Sequence, residues 1–316
     1  MAIAAKRILT SGDLVADRRA DYASMLAEGG DHAAAAELME QALELVPGWA
    51  AGWFRLGEYR EMAGLANAAS AYRRTVELAP DDIFGASLKL ALLGHEVQPR
   101  LPPSRYVEGL FDDYADRFEA ALVERLGYSV PGKLMQLIQS HGSGAHGHVV
   151  DLGCGTGLFG AEIAGKCAGL EGFDLSENML AKAEAKGIYD YLAKADLSLP
   201  PEESGLFGHR PSHRAELVAA ADVMMYLGDL DAAFANVAAL LEPAGAFAFS
   251  VEKAMSASAF ELRPSLRYAH SAEHVERMLA AHGMQPLATQ ETVIRMDAGV
   301  PITGLLFLAH AVPAQR

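Results

Sequence analysis

The chain has 316 residues, 51% of them hydrophobic, and a formal net charge of -15. That length is a soft prior for two domains, and the acidic balance gives no pull toward nucleic-acid phosphates or anionic lipid. Two cysteines, Cys154 and Cys167, exclude a disulfide framework and suit a reducing compartment. No apolar run approaches the roughly 18 residues of a membrane helix, and MAIAAKRILTSGDLVADRR lacks the apolar centre and cleavage site of a secretory signal, so the expected location is the cytoplasm.

Residues 1–96 carry Ala and Leu at helical spacing with almost no β-branched runs. YASMLAEGGDHAAAAELMEQALELVPG is followed by WFRLGEYREMAGLANAASAYRRTVELAPD, a repeat in which Gly30 answers to Gly64, Ala35 to Ala68 and Pro47 to Pro80. Small residues let two helices pack closely, and proline stops the second of each pair. The second copy opens with Trp53, Leu56 and Gly57 and resembles a tetratricopeptide repeat; DDIFGASLKLALLGHE then reads as a capping helix. Such a unit implies either a concave surface for a peptide or partner protein, or a helical lid on a catalytic domain.

Within EVQPRLPPSR, residues 97–104 read as a stiff proline-rich linker. Beyond it Leu110, Phe111, Tyr114, Phe118 and Leu122 share one helical face, and Pro131 opens another helix, so residues 105–145 form a helical lid at the front of a domain that runs to residue 316. From His148 onward short apolar strands alternate with amphipathic helices, the rhythm of a doubly wound α/β sheet. PLATQETVIRMD and ITGLLFLAHAV follow one another without a helix, which predicts a final antiparallel hairpin.

The strand–turn–helix VVDLGCGTGLFG has Gly153 and Gly155 in dinucleotide spacing, but the third position of that fingerprint is Leu158, and the extra glycine falls at Gly157. A dinucleotide oxidoreductase is therefore disfavoured, and without Lys-Ser or Lys-Thr after the loop so is a phosphate-binding P-loop. Asp174 ends the next strand, where an acid can accept both ribose hydroxyls. Asp196 closes the following one, placed for an exocyclic adenine amine. Together the three strand ends describe a site for an adenine nucleoside with a non-phosphate tail.

With these stretches the chain resembles the class I S-adenosylmethionine-dependent methyltransferases, from about Phe111 to the C-terminus. VVDLGCGTG matches the family's first motif, GFDLSENML the second and AKADL the third; AELVAAADVMMYLGDL and LLEPAGAFAFSVE match the region of the fourth and fifth strands. More narrowly it resembles the methyltransferases that carry tetratricopeptide repeats. The resemblance implies a Rossmann-like sheet of seven strands and S-adenosyl-L-methionine as cofactor. It implies that Asp151 supports the methionine amine and that Gly153, Gly155 and Gly157 bring backbone to the methionine portion. Asp174 then holds the ribose, Leu175, Ser176 and Met179 line the adenosine, Asp196 and Leu197 contact adenine, and Ala221 and Asp222 face the reactive end.

Other readings stand beside these. Ser176 is a good helix N-cap, Asp196 suits a turn, and Tyr114 is either core or a lid over the cofactor. Cys154 reads as a packing residue, and the histidines show no metal spacing. Near the acceptor the polar groups are Asp222, Tyr226, Asp229, Glu252, Arg267, Tyr268 and His270, with Ser271 as a helix cap. Of these Arg267 could clamp an acceptor carboxylate or phosphate, His270 could act as a base, and Glu252 is a further catalytic candidate. The expected activity is methyl transfer to a small molecule bearing a carboxylate or hydroxyl, or to a partner held by the repeats, with no nucleic-acid or membrane partner. The alternative is a non-catalytic scaffold with a relic nucleoside site.

Overall fold

The computed structural model describes residues 10–115, 128–142, 146–256, 258–297 and 299–312. It divides into two compact units, Ala2–Gly109 and Leu110–Arg316.

The first unit is helical: α1 (Leu14–Glu28), α2 (His32–Leu45), α3 (Ala50–Met62), α4 (Ala68–Leu78) and α5 (Ala86–Leu92). Asp13 and Asp31 cap α1 and α2, their carboxylates accepting from the first-turn amides that a helix start leaves unpaired. Gly30 and Gly64 turn the chain within each helix pair with φ of 87° and 69°, a conformation that favours glycine. Alanines 35, 36, 42, 68, 69 and 71 are buried, so the helices approach closely. Tyr72 crosses α3 where Gly57 leaves no room for a Cβ, and donates its hydroxyl to Glu61 at 2.7 Å.

The second unit begins inside α6 (Ser104–Tyr114) and continues with α7 (Val130–His141). Tyr114 ends α6; its side chain, with Phe118 and Leu122, lies outside the described residues. Then come β1 (His146–Leu152), α8 (Leu158–Ile163), β2 (Cys167–Asp174), α9 (Glu177–Glu184), β3 (Tyr191–Lys194), β4 (Ala215–Ala220), α10 (Asp231–Leu240) and β5 (Leu241–Lys253). The chain ends in β6 (Phe260–Leu262), β7 (Tyr268–His270), α11 (Ala272–Ala281), β8 (Met284–Asp297) and β9 (Val300–Ala311). The parallel order is β3-β2-β1-β4-β5; β9 runs antiparallel to β5, and β8 to β9. Because the chain reverses direction between β1 and β4, a crevice opens at their carboxyl ends. The central strands are buried on both faces and so read as apolar runs: Val149, Val150, Leu217, Val218, Phe247 and Phe249 are fully buried.

Among the described residues nine strands form the sheet, where the resemblance implied seven. The extra pair is β6 and β7, two short strands absent from the sequence expectation. Three residues are too few to show a period of two, so nothing local announces them. They form because β5 outruns β4. Glu252 and Lys253 pair with Ala269 and His270 of β7, past the point where Ala220 of β4 meets Phe249. Ser271 caps α11 as expected, accepting from the His274 amide. Among the described residues no helix is long and apolar enough to cross a membrane.

Candidate functional site

The loop after β1 is built from left-handed glycines. Gly153, Gly155 and Gly157 have φ of 61°, 54° and 87°. Any side chain would be strained in these conformations, and a Cβ on Gly153 would also overlap Val223. The Gly155 amide donates to Asp174 Oδ2 at 2.8 Å, and the Cys154 amide to the Phe173 carbonyl, so β2 holds the loop in place. Cys154 is buried, and burial pushes its thiol well above the usual range, as suits a packing residue.

Asp151 and Asp174 are buried acids, 1% and 9% exposed. Asp151 Oδ2 accepts from the Tyr189 hydroxyl at 2.7 Å. Burial lifts its pKa to about 7, opposed by the Tyr189 hydrogen bond and reinforced by the charge of Asp174. Asp174 accepts the Gly155 amide on one oxygen and the Ser176 amide on the other, at 2.8 and 2.9 Å. Burial lifts Asp174 to about 6 against those hydrogen bonds, and Asp112 adds like-charge repulsion. Ionised carboxylates keep spare lone-pair sites, so both can still receive ligand donors. Among the described residues neither acid forms an ion pair with Lys or Arg.

The neighbours of Asp174 serve the backbone first. Ser176 caps α9 by accepting from the Met179 amide, and donates its hydroxyl to Asp112 Oδ1 at 2.6 Å. Asn178 donates to the Asp112 carbonyl, so α6 is tied to the start of α9. Met179 and Leu197 are buried and Leu175 is half-buried. Asp196 lies just past β3, where its Oδ1 accepts from the amide and hydroxyl of Ser198 at 2.9 and 2.6 Å. The turn role of that acid is therefore present in the structure.

A second group gathers at the ends of β4 and β5. Asp222 follows Ala221 with a φ of 61°, a strained value for a residue with a side chain, tolerated best by Asn and Asp. Its amide donates to Ser250 Oγ at 2.8 Å, and that hydroxyl donates back to Oδ1 at 3.2 Å. Arg295 of β8 is 3% exposed; it donates to Asp222 Oδ2 at 3.1 Å and also to Glu252 Oε1. Burial raises the Asp222 carboxyl, and the Arg295 and Arg267 charges pull it back.

Arg267, in the β6–β7 turn, donates from Nε to the Tyr226 hydroxyl at 3.3 Å and lies 3.6 Å from Asp297. Its guanidinium sits 5.8 Å from the centroid of the Tyr226 ring, which makes a T-shaped contact with Phe111. Burial acts to lower its pKa, but Tyr226, Glu252 and Asp222 together raise it, so it stays protonated. Its side chain keeps 20% exposure, against 2% for Arg295.

His270, expected near the acceptor as a base, is fully buried in β7. Its Nε2 bonds the Gly228 carbonyl at 3.1 Å, and Phe260 and His274 pack beside the ring. Burial lowers its pKa to about 4, so the ring is neutral. Three residues central to these contacts were not anticipated from sequence: Tyr189, Ser250 and Arg295. Arg295 had a legible signal, a lone cation inside the apolar strand VIRM; Tyr189 and Ser250 had none.

Residues 150–247 match the family described as a methyltransferase domain. No curated protein matches the chain. Among solved structures, magnesium protoporphyrin IX methyltransferase from Synechocystis with bound S-adenosylhomocysteine superposes with a TM-score of 0.50. It is 16% identical, over 66% of this chain and 99% of that one. The complex between the Haloferax volcanii Trm112 methyltransferase activator and its methyltransferase gives a TM-score of 0.50 at 16% identity, over 64% of this chain and 97% of that one. An S-adenosylmethionine-dependent methyltransferase from Mesorhizobium loti is 23% identical over 57% of this chain and 96% of that one, with a TM-score of 0.44. At these identities the likeness is one of fold.

Proposed function

We propose that this chain, a methyltransferase whose cofactor is S-adenosylmethionine, methylates a small acceptor through a carboxylate that Arg267 orients. The observation that supports this reading is the distribution of charge. At the glycine loop two buried acids lack a cationic partner among the described residues, and burial raises both, so a ligand with positive charge relieves them. At the ends of β4 and β5 the acids already face Arg295 and Arg267, and Arg267 is the more exposed of the two cations.

In this reading Asp151 faces the ammonium of the methionine portion. Gly153, Gly155 and Gly157 bring backbone to it, and Asp174 takes the ribose hydroxyls. Leu175, Ser176, Met179, Asp196 and Leu197 surround the adenosine, with Ala221 and Asp222 at the reactive end and Tyr114 on the lid. When bound, the cofactor supplies an activated methyl group on a sulfonium sulfur and leaves as S-adenosylhomocysteine. Arg267 presents a planar fork that matches a carboxylate, and its Nε bond to the Tyr226 hydroxyl anchors it. A carboxylate is already ionised at neutral pH, so no base is required. Glu252 is engaged by Arg295, and His270 is buried on the Gly228 carbonyl; neither is assigned a proton transfer. Alignment and exclusion of water are then the protein's main contributions.

The helical unit belongs to the same proposal. Residues 1–96 form two tetratricopeptide-like repeats capped by α5, residues 97–104 link, and residues 105–316 form the methyltransferase domain of a cytoplasmic enzyme. The Haloferax methyltransferase is held by a protein activator, a precedent for a protein partner here. Calorimetric titration with S-adenosylmethionine and S-adenosylhomocysteine tests the cofactor site. Transfer of labelled methyl to a panel of carboxylic acids, phenols and amines tests the acceptor. Base-labile methyl-ester products are expected, and transfer confined to phenols or amines would overturn the carboxylate reading.

A further inference from the structure

Tyr189 lies in the turn between α9 and β3, and its ring occupies a slot that three glycines leave open. A Cβ on Gly157 would lie 3.0 Å from its Cε2, one on Gly172 2.8 Å from its Cε1, and one on Gly160 would overlap its hydroxyl. Gly157 ends the glycine loop, Gly160 is in the first turn of α8, and Gly172 is in β2. Gly157 has a left-handed φ of its own, but Gly160 and Gly172 do not. The ring fills the space of a side chain at Gly160, and at Gly172 it shares that space with Leu192, whose Cδ2 would lie 2.7 Å from the Cβ. Glycine inside a strand or a helix costs stability, so its use at both positions marks a close approach that matters. From this slot the hydroxyl donates to Asp151 Oδ2 at 2.7 Å.

We propose that Tyr189 is a positioning residue for the cofactor: wedged beneath the glycine loop, it fixes the Asp151 carboxylate for the ammonium of the methionine portion. The proposal rests on the assignment of Asp151 to that ammonium. Its consequence is a pH-dependent affinity that the tyrosine tunes. The groups that act on Asp151 are Tyr189 from the α9–β3 turn, Asp174 from β2, the Gly160 amide of α8, Cys154 of the loop and Tyr128 ahead of α7. Burial sets its pKa at about 7, and the Tyr189 hydrogen bond holds it from rising further. A cationic ligand group prefers the ionised acid, so binding strengthens as pH rises through about 7. Loss of the hydroxyl moves that rise to higher pH.

The test is calorimetry of S-adenosylhomocysteine binding at closely spaced pH values from acid to mildly alkaline, on the full chain and on Tyr189→Phe, which keeps the ring in its slot. Tyr189→Phe is expected to bind about tenfold more weakly at neutral pH, as for a lost hydrogen bond to a charged group, with its midpoint displaced to higher pH. Asp151→Asn is expected to lose the pH dependence, and Tyr189→Phe to displace nothing further in that background. Thermal denaturation without ligand gives a second readout. Stability should fall as pH rises toward about 7 in the parent and at higher pH in Tyr189→Phe. If a folded Tyr189→Phe binds with the parent's affinity and pH profile, the proposal is overturned while the cofactor site stands. If the parent itself fails to bind S-adenosylhomocysteine, the assignment of Asp151 fails and takes the proposal with it.

Discussion

The two halves of the site handle buried carboxylates in opposite ways. Around the glycine loop, Asp151 and Asp174 are held by neutral donors, a tyrosine hydroxyl and backbone amides. Around the ends of β4 and β5, Asp222 and Glu252 share the buried guanidinium of Arg295. The first arrangement leaves negative charge short of compensation and suits a cationic ligand. The second has a buried cation of its own before any ligand arrives, and its task is to hold a shape. Acids that share a cleft thus differ in purpose according to whether the fold itself supplies the cation.

The contrast is most exposed at Arg295. Arg295→Met strands two buried carboxylates and should cost about 3–5 kcal/mol, measured by urea denaturation. Asp151→Asn should do the reverse at pH 8. The folded pKa of Asp151, about 7, is raised above an unfolded value near 4. Its contribution is full at low pH and is lost as pH rises through 7, so removing the acid should leave the ligand-free protein equally or more stable. If Asp151→Asn proved as damaging as Arg295→Met, the two halves would not differ as described.

Asp174→Asn removes the charge and also turns one of two acceptor oxygens into a donor facing the Gly155 or Ser176 amide. Affinity for S-adenosylhomocysteine should fall about ten- to a hundredfold by calorimetry, with Arg295 and its partners undisturbed. Arg267→Ala should leave that affinity unchanged and lower kcat/KM for a carboxylate acceptor about tenfold; Arg267→Lys should recover little, because an ammonium lacks the planar fork. The smallest effect is expected at Ser176→Ala. Loss of the α9 cap should destabilise by about 1 kcal/mol, read from the denaturation midpoint, and free Asp112 Oδ1 from its partner.

The sequence by itself determined the α/β rhythm, the glycine turn and the acids that follow β1 and β2, because periodicity and turn chemistry act over a few neighbouring residues. It also marked the helix caps at Ser176 and Ser271, which need only a hydroxyl two or three residues ahead of an amide. Tertiary structure alone decided the rest. The β6–β7 pair exists because β5 has an edge that β4 leaves open, a condition set by strands far apart in the chain. Arg295 reaches Asp222 and Glu252 from the last hairpin, and Tyr189 reaches Asp151 through a slot cut by glycines on three elements. Whether a buried carboxylate meets an arginine, a hydroxyl or an amide depends on which distant element packs over it, and that choice determines which of these acids remains ready for a cation.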